Sequence, residues 1–359
     1  MKKELSAKKT ILNIVIFLAL VALTMYILLR GQDFGAILKA IKTASPFYLV
    51  LGSVLGFVFI LSEAINLHTL LKTLDYRVSF FQSLKYAFTG FFFSSITPSA
   101  TGGQPMQLYA MKKDDIELSH SSLILLLELA CFQVVTLTFG VAAIIWTFTT
   151  AAQFPTYIKI LGLIGIVFNF AVLSFLIFGI FSPKFANKIL GFITVIINKL
   201  PILSDTKKEK AIKGFTEQIA EYHRCAKMIK ANLTVLLKVI PVLFLQFLCQ
   251  FSVPYMIYLA LGQNTATFFE IIMLQALVYT ATAFVPLPGS VGINEGIFLR
   301  VFRGIYAMGL TSTAMVLSRG ISFYLCLIIS GLALAAMEIH TLVKTSKVTP
   351  ILQTRKNTK

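Results

Sequence analysis

Several stretches of this chain run long and apolar with very few charges: Ile11 to Leu29, Phe47 to Leu61, Leu118 to Phe148, Ile158 to Phe181, Leu233 to Leu261 and Ile321 to Met337. A helix that crosses a bilayer needs about 20 mostly apolar residues, and fewer when flanking groups reach out. Repetition of that signal excludes an ordinary soluble domain and predicts an all-α, polytopic integral membrane helix bundle. Composition agrees. Charged residues make up 13% of the chain and hydrophobic ones 57%, with a mean hydropathy of +0.82, whereas a soluble domain is about a quarter charged.

The formal charge of +17 would suit a nucleic-acid partner in a soluble protein. Here the lysines fall in loops and tails between apolar runs, as the positive-inside rule expects, where they also attract anionic lipid. No direct nucleic-acid binding is expected. Lys2, Lys3, Lys8 and Lys9 place the N-terminus in the cytoplasm, and the tail 344–359, with five basic residues and no acid, joins it there. The uncharged joins at Thr149 to Thr156 and Gly262 to Thr267 fit the outer side. The run from Ile11 is too long for the apolar core of a signal peptide and lacks a small-residue cleavage site, so it reads as a first span.

The longest polar stretch, 182–232, is rich in lysine and is expected inside the cell. Within it Ile212, Phe215, Ile219, Tyr222, Ala226 and Ile229 recur at helical spacing, and Thr206 with Glu209 fits a capping box. Two readings stay open for that stripe: a helix lying on anionic lipid, or one packed on the membrane core of its own chain. Phe185 to Leu200 is either a short span or a surface-embedded helix. The organisation is one membrane domain over 1–343, with the basic segment 182–232 inside it, and a basic tail over 344–359. Nothing outside the spans is long enough for a sizeable soluble core. Of the four cysteines, Cys131, Cys249 and Cys326 lie in apolar runs and Cys225 in the basic loop, with no metal or disulfide spacing.

Two apolar segments are interrupted. Tyr86 to Ile96 is too short to span and meets Pro98, after which Thr101, Gly102 and Gly103 permit a tight turn and Met106 to Met111 a second short helix. Ile271 to Phe284 meets Pro286 and Pro288, then Gly289, Gly292 and Gly296. Both carry Pro-x-x-x-Gly: Pro98 with Gly102, and Pro288 with Gly292. Paired Gly/Pro interruptions in two halves point to an inverted repeat with a site near the midplane. Broken backbone at membrane depth survives only inside protein or beside a wet cavity. The reading is a pair of opposed re-entrant hairpins whose half-helix N-termini offer N–H groups and a positive dipole end to an anionic lipid phosphate. The plainer alternative is Pro/Gly kinks between full spans.

Ionisable groups inside apolar runs are costly and mark functional candidates. Glu63, His68, Glu128, Glu270, Glu295, Arg319 and Glu338 lie in or near such runs. Glu63 and His68 are read as interhelical polar contacts, Glu270 as a span-end group reaching water, and Glu338 as the partner of a nearby base. Glu128 is the deepest, Glu295 sits in the second interruption, and Arg319 opens the last span; these three rank highest. Gln246 and Gln250, one turn apart, either line a polar path or bond between helices. Ser94, Ser95 and Ser99 have no His/Asp arrangement for acyl chemistry, and no metal cluster or cofactor motif is visible, so no catalytic residue, metal or cofactor is expected.

"TPSATGGQPMQLYAMKK" and "PLPGSVGINEGIF", followed by "LSRGISFYLCLIISGL", make the chain resemble the lysylphosphatidylglycerol synthase transmembrane region, the flippase-like domain of the multiple peptide resistance factor. The resemblance covers nearly the whole chain. It implies a domain that carries lipid between leaflets, and it matches at Pro98, Gly102, Gly103, Pro288, Gly289, Gly292, Glu295 and Arg319. The chain departs at Gln104 and Gln107, where many relatives carry an acid and an arginine, a difference that bears on headgroup selectivity. It also ends at Lys359, where full-length resistance factors continue into a soluble domain that moves lysine from lysyl-tRNA to phosphatidylglycerol. Three expectations follow: a flippase-like protein of the bacterial cell membrane for a phospholipid, anionic or lysyl-modified; the membrane component of a phosphatidylglycerol lysyltransferase working with a separate aminoacyltransferase chain; or a structural membrane partner without transport.

Overall fold

The computed structural model describes residues 34–150, 154–182, 233–307 and 309–339, with scattered helical positions between 188 and 230. The expected first span, the capping box at Thr206, most of the basic stripe and the tail 344–359 lie outside the described residues. The described part is helical, with no strand among those residues. A short helix α1 (Phe34–Thr43) leads into α2 (Pro46–Thr73), then α3 (Phe80–Ile96), a 3₁₀ turn (Pro98–Ala100), α4 (Gly103–Lys113), α5 (Leu118–Thr149) and α6 (Thr156–Phe181). After the basic segment come α7 (Leu236–Ala260), α8 (Phe268–Thr282), a second 3₁₀ turn (Pro288–Ser290), α9 (Ile293–Val301) and α10 (Leu310–Ile339).

Five of these helices, α2, α5, α6, α7 with its leading turn, and α10, are long and apolar enough to cross a bilayer. Their outward faces say the same. On α6 Val167 is 68% exposed and Phe170 62%, positions tolerable only against lipid. Buried Leu67, Leu70 and Leu71 of α2, Phe251 of α7 and Ile271 to Leu274 with Ala276 of α8 belong to one core. At its centre Phe247 makes ring contacts with Phe59, Phe132, Phe139, Phe251 and Tyr279, drawn from α2, α5, α7 and α8. Helices also close in through missing side chains. A Cβ on Gly165 of α6 would run into the Thr280 carbonyl of α8, and one on Gly140 of α5 would meet the Thr280 side chain.

The two interrupted segments form matching hairpins. In each, a longer arm (α3, 17 residues; α8, 15) reaches a 3₁₀ turn begun by proline and returns through a shorter arm (α4, 11; α9, 9). The helices before them end alike. Asp75 after α2 and Gly262 after α7 have φ of 60° and 72°. Tyr76 N–H donates to the Leu71 carbonyl, and Gln263 N–H to that of Tyr258, the C-cap bonding that ends a helix in a left-handed residue. Each long arm then starts in a capping box, Ser79 with Gln82 and Thr267 with Glu270. The repeat unit is therefore long helix, capped turn, hairpin, long helix. Helices α2 and α7 pack antiparallel, Ser45 bonding to Ala260 while Gly52 lies on Met256, so the halves run in opposite directions. The two 3₁₀ tips touch each other.

The structure moves several expected boundaries. Helix α2 runs on past Leu61 to Thr73, which places Glu63 and His68 inside it. Arg319 does not open the last span: α10 begins at Leu310, and Arg319 immediately precedes a π-helical stretch, Gly320–Leu325, in its interior. The sequence hid this because Thr311, Ser312, Thr313 and Ser318 dilute the apolar signal there.

Candidate functional site

Two polar clusters lie in the bundle, one at each hairpin. At the first, the Gln107 amide on α4 donates to Glu63 on α2 at 2.7 Å and to the Tyr86 carbonyl on α3 at 3.2 Å. Gly90 makes this possible, because a Cβ there would overlap the Gln107 amide and approach the Glu63 carboxylate to 2.8 Å. Glu128 on α5 lies within electrostatic range of Glu63, and the two acids have no salt bridge among the described residues. Asn66, one turn after Glu63 on α2, is fully buried with neither amide atom partnered.

At the second hairpin, Arg319 of α10 donates from Nε to Glu295 Oε1 of α9 at 3.1 Å and from an Nη to the Gly289 carbonyl at 2.8 Å. Its guanidinium also sits over the Phe323 ring, 4.3 Å from the centroid. The other Glu295 oxygen accepts the Gly292 N–H at 2.6 Å, capping α9. Asn294 bonds back to Thr282 at the end of α8. Here acid and base are already matched, and the tip is tied to α10.

A third cluster lies where α5 begins. His120 Nε2 is 2.9 Å from Glu221 and 3.6 Å from Glu117, while its Nδ1 bonds to Tyr76 Oη at 2.7 Å. These three metal-capable side chains meet, Glu117 and His120 as near neighbours in sequence and Glu221 from far along the chain. Arg224 also bonds Glu221, so the group already forms an ion-pair network joining the basic segment to the bundle.

The family model for the lysylphosphatidylglycerol synthase transmembrane region matches residues 11–330. The chain belongs to that family. Two relatives are each named "UPF0104 membrane protein". One, from Archaeoglobus fulgidus, is 28% identical over 262 residues, 72% of this chain and 76% of its own. The other, from Methanothermobacter thermautotrophicus, is 24% identical over 335 residues, 90% of this chain and 94% of its own. A multi-pass membrane protein of the lysylphosphatidylglycerol synthase transmembrane family fits every element described above.

Every candidate residue lies inside the matched region, and the fold sorts them. Pro98 and Pro288 open the two 3₁₀ tips; Gly102 and Gly292 are the N-caps of α4 and α9. Gly103 is the first residue of α4, packed where a Cβ would strike the Ser94 hydroxyl; Gln104 follows it, half-buried. Glu295, Arg319 and Gly289 come together; Gln107 bonds Glu63, and Glu128 lies within electrostatic range of that carboxylate. The expectation of open N–H groups at both hairpin N-termini is corrected at the N-caps. Gly102 N–H is taken by Thr97 Oγ1 at 2.8 Å and Gly292 N–H by Glu295. Glu63, read from sequence as an interhelical polar contact, is bonded by Gln107 of α4. Its signal was the spacing to Asn66, which puts two polar groups on one face of an otherwise apolar helix.

Proposed function

We propose that this protein carries a phospholipid between leaflets, with lysyl-phosphatidylglycerol or a related lipid as cargo. The observation that supports it best is the pair of oppositely directed hairpins meeting at their tips, one with unmatched acid and the other with a neutralised clamp. Backbone that turns back inside a bundle thins the barrier a polar headgroup must pass, and broken helices of this kind suit a site near the midplane. In this reading both termini face the cytoplasm, the first hairpin enters from that side and the second from outside, and the half-buried Glu128 faces the headgroup path.

The test uses purified protein in liposomes carrying labelled phosphatidylglycerol or lysyl-phosphatidylglycerol in one leaflet, followed by an outside quencher. Exchange above that of empty liposomes, lost in a folded Glu128→Gln variant, is the expected result. Exchange equal to empty liposomes for both lipids refutes this cargo. The family description also supports a second reading, the membrane component of a lysyltransferase with its aminoacyltransferase on a separate chain. Formation of lysyl lipid when charged lysyl-tRNA and that partner are added would favour it.

A further inference from the structure

We propose that Glu63, Glu128, Asn66 and Gln107 form a binding site for one exchangeable monovalent cation, a proton or a sodium ion. The proposal does not depend on lipid movement. Two carboxylates within mutual range in an apolar bundle cannot both stay ionised without a countercharge. Among the described residues the neighbours do not supply one. On α3, Lys85 is committed to Asp114, which also accepts from the Tyr86 hydroxyl. On α2, His68 bonds to Ser83. Arg319 is held by Glu295. Cys131 lies one turn from Glu128 on α5, and α7 presents Phe247 to Phe59 of α2.

Asn66 is the independent sign of a ligand. It is one turn from Glu63 on α2, and Glu63 before it and His68 after it meet Gly90 and Ser83 of α3. Tyr86, whose carbonyl receives Gln107, lies between Ser83 and Gly90 on α3. A buried amide with both its atoms unpartnered is costly and rare enough in native folds to need an explanation. Its oxygen, with the Gln107 amide oxygen and the two carboxylates, makes an oxygen-rich set suited to a hard cation.

The repeat supplies a further argument. Counted back from the left-handed caps Asp75 and Gly262, Glu63 and Gln250 occupy the same position in the two halves. Gln250 donates its amide to the Ser322 carbonyl, so a neutral glutamine makes the helix-to-helix bond at that place. A carboxylate there is not required for packing. Glu63→Gln is therefore a conservative test.

The full-length protein in nanodiscs would be titrated by infrared spectroscopy, reading the protonated carboxyl band in sodium and in choline buffers of equal ionic strength, alongside binding of radioactive sodium. Glu63→Gln, Glu128→Gln and, as a control outside the cluster, the exposed Glu338→Gln would be compared, with thermal melting to confirm that each is folded. The expected result is a band that titrates in the parent and in Glu338→Gln and is lost in both cluster variants. Indifference to sodium assigns the proton. Displacement of the band by sodium, with bound sodium falling to background in the cluster variants, assigns the metal ion. A folded parent with neither a titrating carboxyl nor bound sodium overturns the proposal, as does a band unchanged by both cluster substitutions.

Discussion

Replacing Arg319 by methionine removes the charge that ties the second tip to α10 while keeping much of the side chain's apolar volume. Both side chains of the pair are deeply placed, 13% and 10% exposed, so the loss is not softened by solvent. Breaking one partner of such a pair costs about 3–5 kcal/mol, because the survivor is left buried and charged. The Gly289 carbonyl loses its donor as well, which adds about 1 kcal/mol. Glu295→Gln should cost less, since a glutamine oxygen still accepts the Gly292 N–H. In the double variant the orphan charge disappears, so the combined loss should fall short of the sum by about 2–3 kcal/mol, toward the upper end of measured couplings. The assay is denaturant unfolding of all four proteins in mixed micelles, with hydrogen exchange read across 288–296. Loss of protection should appear in that segment before it reaches the core of α2 and α7. A coupling below about 0.5 kcal/mol, or unchanged exchange at the tip, would show that the clamp does not hold the hairpin.

Four shorter predictions accompany it. Gly90→Ala should drive Gln107 off Glu63 and cost about 1–3 kcal/mol as overpacking; an unchanged melting temperature would mean that the contact is loose. Gly165→Ala should be worse than Gly140→Ala, because the first meets the Thr280 backbone and the second only a side chain; thermal melts that rank them the other way would refute the reading. Tyr86→Phe strips a buried hydroxyl from Asp114, already bonded by Lys85 at 2.5 Å, and should cost about 1.5–3 kcal/mol, the range for bonds to charged groups. By contrast, Lys113→Ala should change stability by less than about 1 kcal/mol, because its bond to Glu338 is exposed; a larger loss in the same unfolding assay would contradict that.

The spans were legible because a bilayer demands length and apolarity together, and both are countable in α5, α6 and α7. The tips were legible as punctuation because Pro98 and Pro288 are each followed by glycines; proline alone does not stop a helix here, since α7 runs through Pro241 and Pro254. The contact between the tips was not legible, since it joins turns far apart in the chain. Interhelical contacts for Glu63 and for His68 follow from the cost of burying polar groups, and the structure gives them Gln107 and Ser83; Glu338 was expected to meet a nearby base, and that base is Lys113. The role of Arg319 was obscured because polar residues upstream broke the apolar run, so a mid-helix arginine read as a terminal one. The convergence of His120 with Glu221 was beyond sequence reasoning, for no local pattern links the start of α5 to the basic segment.

The hairpin tips differ in one respect. Thr101 and Gly102 continue in the right-handed helical region, with Gly102 at φ −83°, whereas Val291 is extended and Gly292 stands at φ 87°. Only glycine takes both of those φ values at little cost, and both halves have glycine at that N-cap. At that N-cap, each tip is therefore free to adopt the backbone of the other. The freedom stops there, because Gly289 at φ 56° is matched in the first tip by Ser99, a residue that takes such a φ only at a cost. Internal duplication has thus left the same residue type at both N-caps in two different conformations, so that one position of the repeat is a joint and not a fixed turn.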